Sequence, residues 1–137
     1  MDLKGPLFPS VFLHCFLIGY RIGKATAIRL AQDGAKVVVN YSSGAEAAEE
    51  TVKLIGSEHA FAFKADAGNI ESIGKLVDAT IEKFGRLDIV VACAAIMPLN
   101  ELSKISESEF DSVMDLNVKG PLFLAQVSSL SGIMELS

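Results

Sequence analysis

Apolar residues along this chain follow two alternating rhythms: short unbroken runs, and longer stretches in which apolar positions recur every three or four residues. The first run, Val11 to Ile18 (VFLHCFLI), predicts a buried strand. After Gly23, the positions Ala27, Ile28, Leu30 and Ala31 recur at helical spacing, and Asp33-Gly34 closes them as a glycine cap. A helix from about Ile22 to Gln32 follows. Lys36-Val37-Val38-Val39-Asn40 is a β-branched run between turn formers, the pattern of a strand covered on both faces. Ser42-Ser43-Gly44 reads as a loop, and Ala45 to Ile55, rich in Ala and Glu, reads as a helix that stops at Gly56.

The alternation continues to the end of the chain. His59-Ala60-Phe61-Ala62-Phe63 alternates as a strand, and Asp66-Ala67-Gly68-Asn69 leads into an amphipathic helix carrying Ile70, Ile73, Leu76, Val77 and Ile81 before Phe84-Gly85. Leu87-Asp88-Ile89-Val90-Val91 is a further strand, opening into the small residues Ala92-Cys93-Ala94-Ala95. From about Glu107 to Ser128 the positions Phe110, Val113, Met114, Asn117 and Val118 keep a helical period, and Gly120-Pro121 predicts a kink. Strands alternating with helices of this length place the chain in the α/β class, with right-handed crossovers and helices on both faces of a parallel sheet.

Composition narrows the function. A chain of 137 residues, half of them hydrophobic, fits one domain with an ample core. The formal charge is -5, and no basic stripe exists that could neutralise a phosphate backbone, which argues against nucleic acid as a partner. Cys15 and Cys93 lie far apart and belong to no Cys-x-x-Cys pair, so the sequence suggests neither a metal site nor a disulfide framework. Reduced thiols in the cytoplasm are the expectation. The run VFLHCFLI bears a loose likeness to a secretory signal, but it is well short of the ~20 residues needed to cross a bilayer and is interrupted by His14. No membrane association is expected.

Gly23 sits where the first helix is expected to begin, and unpaired N–H groups at a helix N-terminus make an anion site that suits a pyrophosphate. A lone glycine there is common in any α/β protein; the rest of the chain adds the specificity. Ile22-Gly23-Lys24-Ala25-Thr26-Ala27, the strand ending Val39-Asn40-Tyr41, Asp66-Ala67, Leu87-Asp88-Ile89-Val90-Val91 and Leu116-Asn117-Val118-Lys119-Gly120 stand in order at suitable spacing. Together they resemble the N-terminal half of the short-chain dehydrogenase/reductase family, over about residues 22–126.

That resemblance implies a partial Rossmann-like, doubly wound parallel sheet of about four strands in the order 3-2-1-4. It implies NAD(P)-dependent oxidoreduction of a carbonyl or an alcohol by the whole protein. It places the cofactor against Ile22, Gly23, Asn40, Ser42, Asp66, Ala67, Ala94 and Ala95. Asp66 would accept from the adenine amino group beside Ala67, and Asn117 would help organise the proton relay. Asn40, Tyr41 and Ser42 follow the second strand where a carboxylate would bind the ribose 2′-hydroxyl, so cofactor choice leans toward NADP, with Arg21 or Lys24 as sources of positive charge.

The chain departs from the family in three places. Aligned without gaps to Gly23, the glycines of Thr-Gly-x-x-x-Gly-x-Gly fall on Leu17 and Arg21, and only the last survives. At a strain of about 1–3 kcal/mol per residue in an unfavourable backbone region, two such replacements weaken cofactor binding by roughly two to four decades. The Asn-Asn-Ala-Gly turn expected after the fourth strand is Ala92-Cys93-Ala94-Ala95. The family's catalytic Ser and Tyr-x-x-x-Lys are absent: the only tyrosines are Tyr20 and Tyr41, and Tyr20 with Lys24 matches the spacing in the phosphate-turn region. The chain therefore reads as a single truncated dinucleotide-binding domain over 1–137, with a divergent segment 1–21. The alternative readings are a non-catalytic protein that self-associates through an uncovered sheet edge and the long helix, and a secreted or membrane-attached product of the N-terminal apolar run.

Overall fold

A computed structural model describes residues 11–14 and 20–129. Four strands, β1 (Val11–His14), β2 (Val37–Tyr41), β3 (Ala60–Lys64) and β4 (Ile89–Ala92), form one parallel sheet in the order β3-β2-β1-β4. Val11 stands in register with Val37 on one side and with Ile89 on the other, and Val37 with Ala60. Parallel pairing requires a crossover between successive strands, and α1 (Tyr20–Gln32), α2 (Ala45–Ile55) and α3 (Ile70–Phe84) supply them.

The unbroken apolar run of β2 is explained by burial on both faces. Val37 and Val39 pack with Ala27, Ala48, Val52 and Ala60 beneath α1 and α2. Val38, between them, points the other way and packs with Ile73, Leu76, Val77, Leu87 and Leu124 beneath α3 and the last helix. This alternation follows from the two-residue period of a strand, and it makes the sheet doubly wound. Phe61 and Phe84 meet edge to face at 5.4 Å between ring centroids on the α3 side.

Local punctuation sets the helix ends. Gly44 and Gly56, both at positive φ, bracket α2 at the limits the glycines predict. Asn69 caps α3 by accepting from the Ser72 N–H at 2.9 Å, and Gly85 ends it in the left-handed region. Two boundaries differ from expectation. The first helix starts at Tyr20, two residues before Ile22, so Gly23 lies in its first turn instead of opening it. Arg21 is a good helix former and Tyr20 a tolerable one, whereas glycine at 21 would cost a helix about 1 kcal/mol. Of the first apolar run, Cys15 to Ile18 lies outside the described residues, as does Gly19.

The long C-terminal helical segment is three pieces. A 3-10 turn (Leu102–Lys104) precedes α4 (Glu107–Met114), which Ser106 caps by accepting from the Glu109 N–H at 3.2 Å. A π turn over Asp115–Lys119 follows, then α5 (Gly120–Ser128). The irregularity therefore lies just upstream of Gly120-Pro121 instead of at it. Pro121 has no N–H to offer the carbonyl four residues back, and the Gly120 N–H reaches five residues back to the Asp115 carbonyl. That longer bond defines a π turn.

Candidate functional site

All four strands are parallel, so their carboxyl ends and the loops after them share one edge of the sheet. Ser42, Asp66, Cys93, Ala94 and Ala95 all follow strand ends there, and the first turn of α1 faces the same edge.

One group of residues comes together tightly. Ala67 and Ala94, from the loops after β3 and β4, are buried against Leu116 of the π turn, with Ile96 packed on the cluster. Beside them a cavity of about 250 Å³ is lined by Asp66, Gly68, Ile96, Ser112, Asp115 and Leu116. Asp66 is exposed, and its Oδ1 accepts from the Gly68 N–H at 2.9 Å, an Asx turn that fixes the carboxylate over the start of α3. The second oxygen remains available to a ligand donor in the cavity. The Asp66 carbonyl also accepts from the Asn69 N–H at 3.2 Å, closing the turn.

Asn117 faces this cavity wall from the π turn. The Ile96 N–H donates to Asn117 Oδ1 at 2.9 Å, and Asn117 Nδ2 donates to the Ile96 carbonyl at 2.7 Å. The side chain thus grips both polar groups of one backbone residue, 21 positions away, and anchors the strand exit to the helix. On the same turn, Lys119 Nζ pairs with Asp115 Oδ1 at 2.6 Å, one helical step apart on a half-exposed surface. Gly120 lies against the Ala67 carbonyl so closely that a β-carbon there would overlap it.

The residues expected near the ribose and phosphates are arranged differently. Asn40 is 1% exposed and turned into the sheet, where its Nδ2 donates to the carbonyls of Ala65 at 3.0 Å and Phe63 at 3.2 Å. Its side chain therefore braces β3 instead of lining the groove, because position 40 alternates to the same face as Val38. Ser42 is half-buried at the strand exit, Ala95 is exposed, and Ile22 is exposed on the first turn of α1. Gly23 is buried. Of the two cations considered near the phosphate, Lys24 is engaged by Glu50 of α2 at 2.9 Å, and Arg21 is exposed within the first turn of α1.

Six participants were not visible as site residues in the sequence: Gly68, Ile96, Ser112, Asp115, Leu116 and Gly120. The repeated small residues around Ala94 were the one available signal for a close approach. Cys93 is half-buried and burial pushes its thiol pKa up, the direction of an inert thiol. His59 is exposed. Among the described residues, no group of three or more His, Cys, Asp and Glu is placed to hold a metal ion, and no helix is long and apolar enough to cross a membrane.

Comparison with known proteins matches residues 17–131 to the family model described as short chain dehydrogenase. The short chain dehydrogenase/reductase nsrJ of Aspergillus novofumigatus is 44% identical over 111 residues, which cover 79% of this chain and 42% of that protein. Versicolorin reductase stcU of Emericella nidulans is 42% identical over 110 residues, with the same coverage of 79% and 42%. Among solved structures, a short chain dehydrogenase from Burkholderia cenocepacia in complex with NADP superposes with a TM-score of 0.82 at 31% identity, over 89% of this chain and 50% of that one. The chain thus spans 42% of the length of the curated relatives it matches.

Proposed function

This chain belongs to the short-chain dehydrogenase/reductase family, and from that membership we propose that it is the cofactor-binding part of an NAD(P)-dependent oxidoreductase acting on a carbonyl or alcohol. The observation that carries the proposal is the cavity lined by Asp66, Gly68, Ile96 and Leu116 at the carboxyl edge of a parallel sheet, backed by the buried Ala67 and Ala94. Its residues suit an adenine ring: Gly68, Ile96 and Leu116 give a flat ring room and apolar surface, and the Asp66 carboxylate accepts from an exocyclic amino group. Bound there, the dinucleotide would supply the hydride chemistry; this chain's residues bind and orient its adenosine end.

NADP is the favoured cofactor in this reading. No carboxylate stands at the end of β2 or just after it, where Tyr41, Ser42 and Ser43 are found, and Arg21 sits exposed at the start of α1. Affinity is weakened by Leu17 and Arg21 at positions the family gives to glycine. The sequence holds no Tyr-x-x-x-Lys besides Tyr20 and Lys24, which belong to α1. This chain alone therefore binds NADPH weakly and turns over no substrate. The test is NADPH binding by calorimetry together with NADPH consumption over a panel of ketones. Weak saturable binding with background consumption is expected, and turnover well above a no-protein control would refute the reading. A cytoplasmic setting is proposed with it, on the two cysteines that form no motif.

A second reading rests on exposed Phe110, Met114, Val118 and Leu122, which recur every four residues along α4, the π turn and α5. Such a stripe favours self-association of this chain.

A further inference from the structure

From the placement of Asn40 we infer that it is a positioning residue for the cofactor's adenine, acting through Asp66 without touching the ligand. The inference rests on the cofactor reading above. β3 is an edge strand whose one neighbour is β2, and its regular pairing ends at Lys64, two residues before the Asp66 carboxylate that the cavity needs. The Ala65 N–H extends the ladder by one bond, donating to the Tyr41 carbonyl at 2.9 Å. Past that point the turn leaves the sheet. Asn40 reaches it there: Nδ2 spends its two hydrogens on the carbonyls of Phe63 and Ala65, two residues apart on the same strand. Holding the Ala65 carbonyl fixes the peptide plane between Ala65 and Asp66. The direction of the Asp66 side chain follows from that plane and from its bond to the Gly68 N–H.

The opposite wall of the cavity stands on other elements. Ile96 follows β4, and Ser112, Asp115 and Leu116 belong to α4 and the π turn. The distance from the carboxylate to that wall is therefore set by how the β3 exit is tied to the sheet, and Asn40 makes that tie. A plain packing role fits poorly. Asn40 Oδ1 is buried without a hydrogen-bond partner among the described residues, whereas an apolar β-branched residue at 40 would leave no such atom. Turning the amide over would set that oxygen against two carbonyls, so the donor direction is fixed by the site.

The full chain is tested as wild type and as Asn40→Ala, Asn40→Thr and Asp66→Ala. The ligands are NADPH and its analogue with hypoxanthine in place of adenine, which lacks the amino group Asp66 would receive. Wild type is expected to prefer NADPH by about tenfold, the worth of one charge-assisted hydrogen bond. Asp66→Ala and Asn40→Ala should lose the preference, and Asn40→Thr, which keeps one donor on a residue suited to a strand, should recover part of it. Amide exchange supplies a second readout that needs no ligand: in Asn40→Ala the Gly68 and Asn69 amides should exchange at least tenfold faster while Gly56 and Gly85, at distant helix ends, are unchanged. A wild type that prefers NADPH together with an Asn40→Ala variant that keeps both preference and protection overturns the role of Asn40. A wild type that binds both ligands equally, or neither, overturns the cofactor reading and this role with it. Should Asn40→Ala fail to fold, Asn40→Thr and Asn40→Val decide, since the two have the same shape and only Thr keeps a donor: more preference and more protection in Asn40→Thr than in Asn40→Val would support the inference, and equal values in both would overturn it.

Discussion

Gly120 and Ala67 are packed so that the glycine's missing β-carbon would occupy the space of the Ala67 carbonyl oxygen. Gly120 has ordinary right-handed helical angles, φ -53 and ψ -60, so the backbone there does not need glycine for its conformation. It needs glycine for the close approach of α5 to the turn after β3. In an unconstrained helix, Gly→Ala gains about 1 kcal/mol from propensity. Here the neighbour is rigid backbone, and overpacking at about 1–3 kcal/mol outweighs that gain. Gly120→Ala is expected to lower the urea midpoint; an unchanged or raised midpoint would show that the turn gives way freely.

Replacing Asn117 by Ala strips both partners from the Ile96 backbone, which is half-buried. The expected loss is about 1–3 kcal/mol of stability, with faster exchange of the Ile96 amide in particular. Equal exchange at Ile96 in the variant and the parent would contradict the clamp.

Returning the family's glycines tests the proposal that the phosphate turn is weakened. Leu17→Gly with Arg21→Gly should tighten NADH binding by roughly two to four decades, and NADPH binding by less, because Arg21 is also a cation offered to the 2′-phosphate. Arg21 lies inside α1, so the same change should cost about 1 kcal/mol of helix stability. Tighter binding in a less stable protein is the expected pair of outcomes, read by calorimetry and thermal unfolding; unaltered affinity would locate the defect elsewhere.

Charge placed in the exposed stripe tests self-association. Phe110→Glu with Val118→Glu should convert a concentration-dependent sedimentation profile into that of a monomer while leaving the far-ultraviolet dichroism unchanged. A parent that sediments as a monomer at every concentration removes the second reading.

Cys93 supplies a pH dependence. Burial raises its thiol pKa in the folded chain, so at mildly alkaline pH the folded protein holds less thiolate than the unfolded one. Iodoacetamide should label Cys93 more slowly in the native than in the urea-unfolded protein, with the gap closing once pH passes the folded pKa. The sign for stability follows: the contribution is complete below the unfolded pKa and is lost as pH rises through the folded one. Peptide mass spectrometry separates Cys93 from Cys15, and equal native and unfolded rates would contradict the shift.

The parts of this structure readable from sequence are those where burial or a glycine leaves a mark. Val37, Val38 and Val39 announce a strand covered on both faces because each face must be filled, and Gly44 and Gly56 bound α2 at both ends. Asp66, Ala67 and Ala94 were assigned to one site by the family resemblance, and the fold sets them side by side. Asn117 was legible as important but not as the clamp on Ile96, since a partner 21 residues away leaves no local pattern. Asn40 was assigned to the cofactor groove by the family resemblance; the β3 carbonyls that it satisfies instead lie more than twenty residues away and leave no mark in one dimension. The π turn was missed because four-residue spacing of apolar positions is compatible with α and π geometry alike over one turn.

Each residue of a regular helix rotates the next by about 100°. A π turn holds about one residue more than an α turn, and each of its residues rotates the next by less. Deleting one residue from Asp115 to Lys119 would therefore restore an unbroken α-helix with α5 nearly in its present phase, leaving Leu124, 1% exposed, beside Leu76 and Val77. What the deletion would take away is the bulge that carries Leu116 onto Ala67 and Ala94 and Asn117 onto the Ile96 backbone. A shorter, regular segment would keep the core and lose the cavity wall, so packing and site shape can vary independently there.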